Sequence, residues 1–183
     1  MDYTFYTDTH IGSKYLQMDI LPKTIEQIAK ENAYTLGDIY ELKNCEYPEY
    51  PGLLRKFSEY KKLFFGRYLV GNHEIDRGLT PKHLIIDGHI CLVHGDYILW
   101  GDKKALEFRN EKPAQGSGFI QRMLAKRNGS ISNSEAKDLA NYANRLGCDV
   151  IVCGHVHVKH VFDEDKNGVR VISLPRGKTE ITI

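Results

Sequence analysis

The chain has 183 residues, 42% of them hydrophobic and 27% charged, which is enough to bury one continuous core. Its formal net charge of +1 argues against a generally basic nucleic-acid surface and against a polybasic membrane anchor. No apolar run approaches the roughly 20 residues of a membrane-spanning helix, and residues 1–8 lack the pattern of a secretory signal. We therefore expect a single cytoplasmic domain over residues 1–183 whose function resides in a local site.

The first part of the chain predicts a strand, a helix and a second strand. Residues 2–7 are rich in Tyr, Phe and Thr, which is typical of a strand, and they run into the polar turn 8–10. A helical pattern begins at Pro22, and a short strand at residues 34–36 then leads into Gly37-Asp38. Both predicted strands thus end in polar residues.

The same order recurs in the next segment. Pro51 opens a second helical pattern, and the apolar run 68–70 leads into Gly71-Asn72-His73-Glu74. Two strands within residues 84–93 flank the hairpin signal Asp87-Gly88, and the second of them stops at His94-Gly95-Asp96.

Helical patterns dominate residues 97–147, and we interpret this stretch as a helical insertion. The apolar run 150–153 is typical of a strand buried on both faces, and it ends at Gly154-His155-Val156-His157. Further strands are predicted within residues 158–183, with residues 163–168 as the loop of a hairpin. Helices early and hairpins late indicate an α/β sandwich of two packed mixed sheets.

Five predicted strand ends carry Asp, His or Asn side chains. Open α/β sheets place their ligand sites beyond the carboxyl ends of the strands, so we expect these side chains to converge. Imidazole and carboxylate together suit divalent Mn, Fe, Ni or Zn, and the lack of cysteine at the strand ends argues against a closed structural zinc site. Five of the eight histidines lie there: His10, His73, His94, His155 and His157.

A pair of metal ions places a further demand on the ligands. Ions roughly 3.5–4 Å apart need a shared anionic ligand, and a carboxylate with two oxygens can bridge them where a neutral imidazole cannot. Asp38 is our choice for that bridge. Glycines such as Gly71 and Gly154 stand beside ligand positions, where the backbone must turn sharply or approach the metals closely.

Five short blocks occur in a fixed order: Asp8-x-His10, Gly37-Asp38, Gly71-Asn72-His73-Glu74, His94-Gly95-Asp96 and Gly154-His155-x-His157. In this order they resemble the calcineurin-like metallophosphoesterase superfamily, over residues 1 to about 175. The resemblance implies a four-layer α/β/β/α sandwich. It also implies two divalent metal ions, of which Mn2+ is the first expectation and Fe, Ni, Zn or Mg are the others.

The resemblance also implies a role for each residue. By position, it assigns Asp8, His10, Asp38 and His157 to one metal, and Asp38, Asn72, His94 and His155 to the other. His73 matches the family's catalytic histidine, which is not a ligand, and Glu74 matches a carboxylate that can orient it. The implied reaction is hydrolysis of a phosphomonoester, phosphodiester or pyrophosphate bond by in-line attack of a metal-bridging hydroxide.

Two branches of the superfamily offer closer comparisons. The block 37–41, the helical stretch after His94 and residues 147–155 look like the UDP-2,3-diacylglucosamine diphosphatase-like branch, which usually ends differently from Leu174-Pro175-Arg176-Gly177. Protein serine/threonine phosphatases share Gly-Asn-His-Glu. Their second block normally reads Gly-Asp-x-x-Asp-Arg, however, where this chain has Gly37-Asp38-Ile39-Tyr40-Glu41, so we rank that branch lower.

Other functions remain open on the same residues. A nuclease or a cyclic-nucleotide phosphodiesterase would use the same paired metals, although the near-neutral charge argues against long duplex nucleic acid. A non-catalytic scaffold with this fold is a further alternative, which the intact ligand set disfavours. We expect a phosphorylated small molecule or a nucleotide as the substrate, and no oligomeric state is predicted.

The predicted insertion carries side chains that could cap the metal site and bind a phosphate, a base or a lipid head group. The alternative is that its cations form a solvated helix face and that its tryptophan packs in a core. The side chains concerned are Trp100, Arg109, Arg122, Lys126 and Arg127.

Overall fold

The computed structural model describes residues 1–11, 13, 33–42, 50–64, 66–74, 81–110 and 129–183. The strands in this part of the chain are β1 (Asp2–Thr7), β2 (Tyr34–Thr35), β3 (His83–Ile86), β4 (Ile90–Val93), β5 (Val150–Val158), β6 (Phe162–Lys166), β7 (Val169–Pro175) and β8 (Gly177–Thr182). The helices are α1 (Tyr50–Leu63), α2 (Asp96–Trp100), α3 (Asp102–Asn110) and α4 (Asn133–Arg145). Among these residues, no helix combines the length and the apolar character needed to cross a membrane.

The strands form two mixed sheets. In the three-stranded sheet, β1 lies in the centre, parallel to β2 and antiparallel to β8. In the five-stranded sheet, β4, β5 and β7 run parallel in the centre, while β3 and β6 pair antiparallel at the two edges. The apolar run 68–70 contributes a single bridge, from Tyr68 to Thr35, rather than a regular strand.

Side chains alternate between two apolar layers along the central strands, as the two-residue period of a strand requires. Ile90 and Leu92 of β4 pack in the core between the two sheets, whereas Cys91 and Val93 pack on the side of α4. On the other side, Phe57 of α1 belongs to the cluster that covers the three-stranded sheet. The layers are therefore α1, three-stranded sheet, five-stranded sheet and α4, which confirms the predicted four-layer α/β/β/α sandwich.

α4 covers the five-stranded sheet because it is amphipathic and well capped. Ser132 and Glu135 form a reciprocal capping box at its start. Their side chains accept hydrogen bonds from two backbone N–H groups that have no partner within the helix. Leu139, Ala140 and Ala143 follow at helical spacing on its buried face. This helix lies within the stretch interpreted as an insertion and forms one layer of the sandwich; the single-domain organisation stays a prediction.

The two predicted hairpins are present, but one strand is displaced. Residues 87–89, which include Asp87-Gly88, join β3 to β4, and Asn167-Gly168 joins β6 to β7. Asp87, Gly88, Asn167 and Gly168 all have positive φ. The prediction that residues 163–168 form a loop is wrong, because β6 occupies Phe162–Lys166. Its charged residues fit a strand because β6 is an edge strand with mostly exposed side chains. The helix predicted after Pro22 lies outside the described residues.

Candidate dinuclear metal site

The predicted ligand side chains converge at one edge of the sandwich. β1 runs parallel to β2, and β4 runs parallel to β5, so polar residues at their carboxyl ends are brought to the same edge. β5 continues past Gly154 through a shift in register, which places the last two ligands within the strand. All of these side chains are buried except the half-buried His157. They are Asp8, His10, Asp38, Asn72, His94, His155 and His157.

Most of these residues have a left-handed backbone, which residues other than glycine rarely adopt. Seven non-glycine residues in the described part of the chain have positive φ, and five of the seven are candidate ligands. Strain of this kind is typical of functional sites, where the surrounding structure holds it in place. The five are Asp8 (φ 51°), His10 (47°), Asp38 (53°), His155 (66°) and His157 (52°).

Asp8, His10 and His157 form the first group of candidate ligands. One ligand atom from each lies within 4.8 Å of the others. His157 Nε2 lies 3.1 Å from Asp8 Oδ1 and 3.2 Å from His10 Nε2. The other oxygen of Asp8 accepts hydrogen bonds from the Thr7 hydroxyl at 2.6 Å and the His155 backbone N–H at 2.9 Å. These bonds hold the Asp8 carboxylate with Oδ1 towards His157.

Asp38, His94 and His155 form the second group, again with ligand atoms within 4.8 Å of one another. Asn72 joins this group, because its Oδ1 lies 3.0 Å from His94 Nε2. These two groups correspond to the two ligand sets that the resemblance implies. A third possible group, formed by His10, Asp38 and His73, shares one residue with each of them. The assignment of the first two groups to two metal ions stays a prediction.

Asp38 lies between the two groups. Its Oδ2 is 3.9 Å from His10 Nε2 and 3.4 Å from His94 Nε2. Its Oδ1 accepts a hydrogen bond of 2.7 Å from the His73 backbone N–H. The sequence led us to expect Asp38 as the bridge, and in the structure its Oδ2 faces both groups while a backbone N–H bonds to Oδ1.

The hydrogen bonds of His94 test whether a cation fits here. His94 Nδ1–H donates to the Leu36 carbonyl oxygen at 2.8 Å, so a neutral ring has a lone pair on Nε2. That lone pair faces Asn72 Oδ1 and Asp38 Oδ2, which are acceptors as well. Acceptors that face one another need a proton or a metal ion between them, and this set of nitrogen and oxygen donors fits a divalent transition metal.

The pKa shifts of the buried histidines and of Asp38 agree with a cation at this site. Burial lowers the pKa of His155 to about 3, and it also lowers the pKa of His10. Burial alone would raise the pKa of Asp38, but the charges of His94 and His73 hold it well below its usual range. Asp38 in turn raises the pKa of His94 to about 10 against the effect of burial, so metal binding at His94 would release a proton.

Glu41 is a site residue that the sequence analysis missed. Its buried carboxylate accepts Nδ1–H bonds from His10 at 3.2 Å and from His73 at 2.9 Å. Burial alone would raise the pKa of Glu41, but the two histidines lower it to about 2. The signal was present in Gly37-Asp38-Ile39-Tyr40-Glu41, where an acid stands at the second Asp of the Gly-Asp-x-x-Asp-Arg pattern.

The role expected of Glu74 needs correction. Its two oxygens accept the backbone N–H groups of Asp38, Ile39, Tyr40 and Gly71 at 2.9–3.1 Å. Glu41, rather than Glu74, is therefore the carboxylate that orients His73. Burial and the charge of Asp38 raise the pKa of Glu74 to about 7, and the backbone N–H groups oppose that shift. The same four hydrogen bonds fix the loop that carries Asp38.

Trp100 is the one member of the predicted capping set whose side chain the structure describes. Its ring packs at right angles to the ring of His155, with centroids 4.5 Å apart, and Lys104 Nζ lies 5.6 Å from its centroid. Trp100 therefore borders the site, although substrate recognition stays a prediction. The Arg109 side chain and residues Arg122, Lys126 and Arg127 lie outside the described parts.

Two glycines leave room for the two aspartates. A Cβ atom on Gly71 would lie 2.1 Å from Asp38 Oδ1. A Cβ atom on Gly154 would lie 2.5 Å from Asp8 Oδ2 and 2.0 Å from Thr7 Oγ1. These distances are far below contact distance, so no larger residue fits at either position unless the carboxylate moves.

Gly154→Ala should therefore displace the Asp8 carboxylate and weaken metal binding. It should also lower the free energy of unfolding by about 1–3 kcal/mol. Thermal unfolding and metal content after equilibration with Mn2+ measure the two effects. Gly52→Ala is the matched control, because nothing lies within 4 Å of a Cβ atom at that position in α1. Unchanged stability and metal content in Gly154→Ala would contradict this account of the close approach.

Comparison with known proteins places the chain in a family. The calcineurin-like phosphoesterase profile matches residues 1–159. No curated protein in the comparison matches the chain significantly. Vacuolar Protein Sorting 29 from Cryptosporidium parvum is 19% identical, with a TM-score of 0.43 over 96% of this chain and 74% of its own. Vps29 from Entamoeba histolytica, complexed with Zn2+, is 16% identical, with a TM-score of 0.43 over the same shares.

A conserved uncharacterized protein of Streptococcus pneumoniae, described as a predicted phosphoesterase, is 14% identical, with a TM-score of 0.46 over 100% of this chain and 84% of its own. The family assignment does not rest on these structural likenesses, whose TM-scores are low. The profile, by contrast, spans most of the sequence and includes every candidate ligand. The protein therefore belongs to the calcineurin-like phosphoesterase family.

Proposed function

We propose that the protein is a dinuclear metal-dependent phosphoesterase, which hydrolyses a phosphate ester or anhydride bond. The position of Asp38 is the observation that supports this proposal most strongly. A single carboxylate oxygen lies within 4 Å of histidine nitrogens from both ligand groups. An anionic oxygen between two such groups is what two neighbouring divalent ions need in order to share a ligand.

The chain's own residues would hold the two ions in separate groups. Asp8, His10 and His157 would bind one ion. Asn72, His94 and His155 would bind the other, and Asp38 would bind both. When bound, such a pair of ions lowers the pKa of water and offsets charge on phosphoryl oxygens. Mn2+ stays our first expectation from the family resemblance, and imidazole with carboxylate and amide oxygen is compatible with it.

His73 would act on the substrate rather than on a metal. Its ring lies 4.6 Å from the ring of His10, at right angles to it, so it stands beside the first ligand group. Glu41 accepts its Nδ1–H, so Nε2 is the ring nitrogen that would act on a reacting group. From there His73 would stabilise phosphoryl oxygens or protonate the leaving oxygen.

The proposal is tested with a chromogenic phosphomonoester and the corresponding phosphodiester, using protein reconstituted with Mn2+, Ni2+, Zn2+ or Mg2+. We expect turnover of at least one ester with a bound stoichiometry of two ions per chain. Asp38→Asn should lose the shared anionic ligand, and with it both the second ion and turnover. His89→Ala is the control, because His89 is exposed at the opposite end of β4. A chain that binds one ion or none would contradict the proposal, and so would a loaded chain that hydrolyses neither ester nor inorganic pyrophosphate.

Two further variants separate substrate chemistry from metal binding. His73→Asn should retain both ions while kcat falls about 100- to 10,000-fold, the range for loss of a general acid or base. Glu41→Gln should lower kcat and also weaken metal binding by about 10- to 100-fold, because Glu41 orients the ligand His10 as well as His73. Metal titration beside steady-state kinetics measures both effects. Loss of an ion from His73→Asn would move His73 into the ligand set.

A further inference from the structure

Arg176 occupies a position that the proposed chemistry does not yet use. It is the single residue between β7 of one sheet and β8 of the other. The residue before it, Pro175, pairs with Val158, and the residue after it, Gly177, pairs with Thr7. Val158 follows a candidate ligand and Thr7 precedes one, so strand register alone brings Arg176 to the rim of the first ligand group.

A direct contact fixes the side chain there. Arg176 Nε donates a hydrogen bond of 3.2 Å to the backbone carbonyl oxygen of Asp8. The side chain is half-buried. Burial lowers the pKa of Arg176, but a guanidinium remains charged at any ordinary pH because its pKa starts above 12. A permanent positive charge is therefore anchored beside Asp8.

The shape and charge of this group suit one kind of substrate. A guanidinium forms parallel hydrogen bonds to two phosphoryl oxygens, which a point charge such as lysine cannot match. A phosphomonoester has a second pKa near 6 and so carries almost two negative charges at neutral pH. A phosphodiester carries only one, and one of its oxygens is blocked by the second ester group. An additional fixed cation therefore favours the monoester.

We propose that Arg176 binds the phosphoryl group of the substrate and makes the site selective for phosphomonoesters over phosphodiesters. This inference rests on the proposed phosphoesterase function and assigns its substrate class. The backbone carbonyl of Asp8 positions the guanidinium beside the first ligand group.

The test compares Arg176→Gln and Arg176→Lys with wild type, using chromogenic monoester and diester substrates and calorimetric titration of the Mn2+-loaded protein with inorganic phosphate. Lys178→Gln is the matched control. It removes a positive charge from an exposed side chain on β8, two residues after Arg176. We expect Arg176→Gln to lower kcat/KM for the monoester about 10- to 100-fold and to weaken phosphate binding similarly, as for a charged hydrogen bond. In Arg176→Gln, kcat/KM for the diester should change by only about threefold or less. For the monoester, kcat/KM of Arg176→Lys should lie between the values for wild type and Arg176→Gln.

Three outcomes would overturn the inference. If Arg176→Gln lowered kcat/KM equally for monoester and diester, or left the phosphate affinity unchanged, Arg176 would not select the substrate. A loss of bound metal in Arg176→Gln would show that it supports the Asp8 backbone instead. If the loaded wild-type protein hydrolyses neither ester nor inorganic pyrophosphate, the proposed function fails, and the phosphate titration still decides whether Arg176 binds a phosphoryl group.

Discussion

Asp38 is a carboxylate with 1% of its surface exposed, and imidazole nitrogens from both sides of the site approach the same oxygen of its side chain. Burying a charge in this way is costly unless opposite charges and hydrogen bonds compensate it. One backbone N–H, from His73, satisfies Oδ1, which leaves Oδ2 for cations. The arrangement is therefore stable only with protons or metal ions on the surrounding nitrogens, and this requirement links the structure of the site to its proposed chemistry.

The rest of the fold holds that arrangement in place, at a cost in conformational free energy. Left-handed backbone at the ligand residues costs of order 1 kcal/mol or more for each, and the apolar layers on both sides of the two sheets supply the opposing stability. Gly71 gives the Asp38 carboxylate space that any side chain would fill, and Glu74 fixes the Asp38 loop through backbone N–H groups. Glu41 then sets the ring orientation of two histidines at once, so one carboxylate couples a candidate ligand to the proposed catalytic residue.

Much of this could be predicted from the sequence, because the informative signals are local. Apolar runs that end in polar residues identify strand ends, and the sheet topology brings strand ends together, so the convergence of the candidate ligands followed from the order of the blocks. The partner of each side chain did not follow. His73 and Glu41 are 32 residues apart, and the contact depends on how two loops pack. β6 was misplaced for a related reason, since an edge strand needs no apolar face and its charged sequence is typical of a loop.

The central claim is that two divalent ions share Asp38, and anomalous diffraction from crystals equilibrated with Mn2+ tests it most directly. The account predicts two peaks roughly 3.5–4 Å apart, one beside His10 and one beside His94, with Asp38 Oδ2 between them. A single peak at full loading, or peaks ligated by residues other than the two groups, would contradict it.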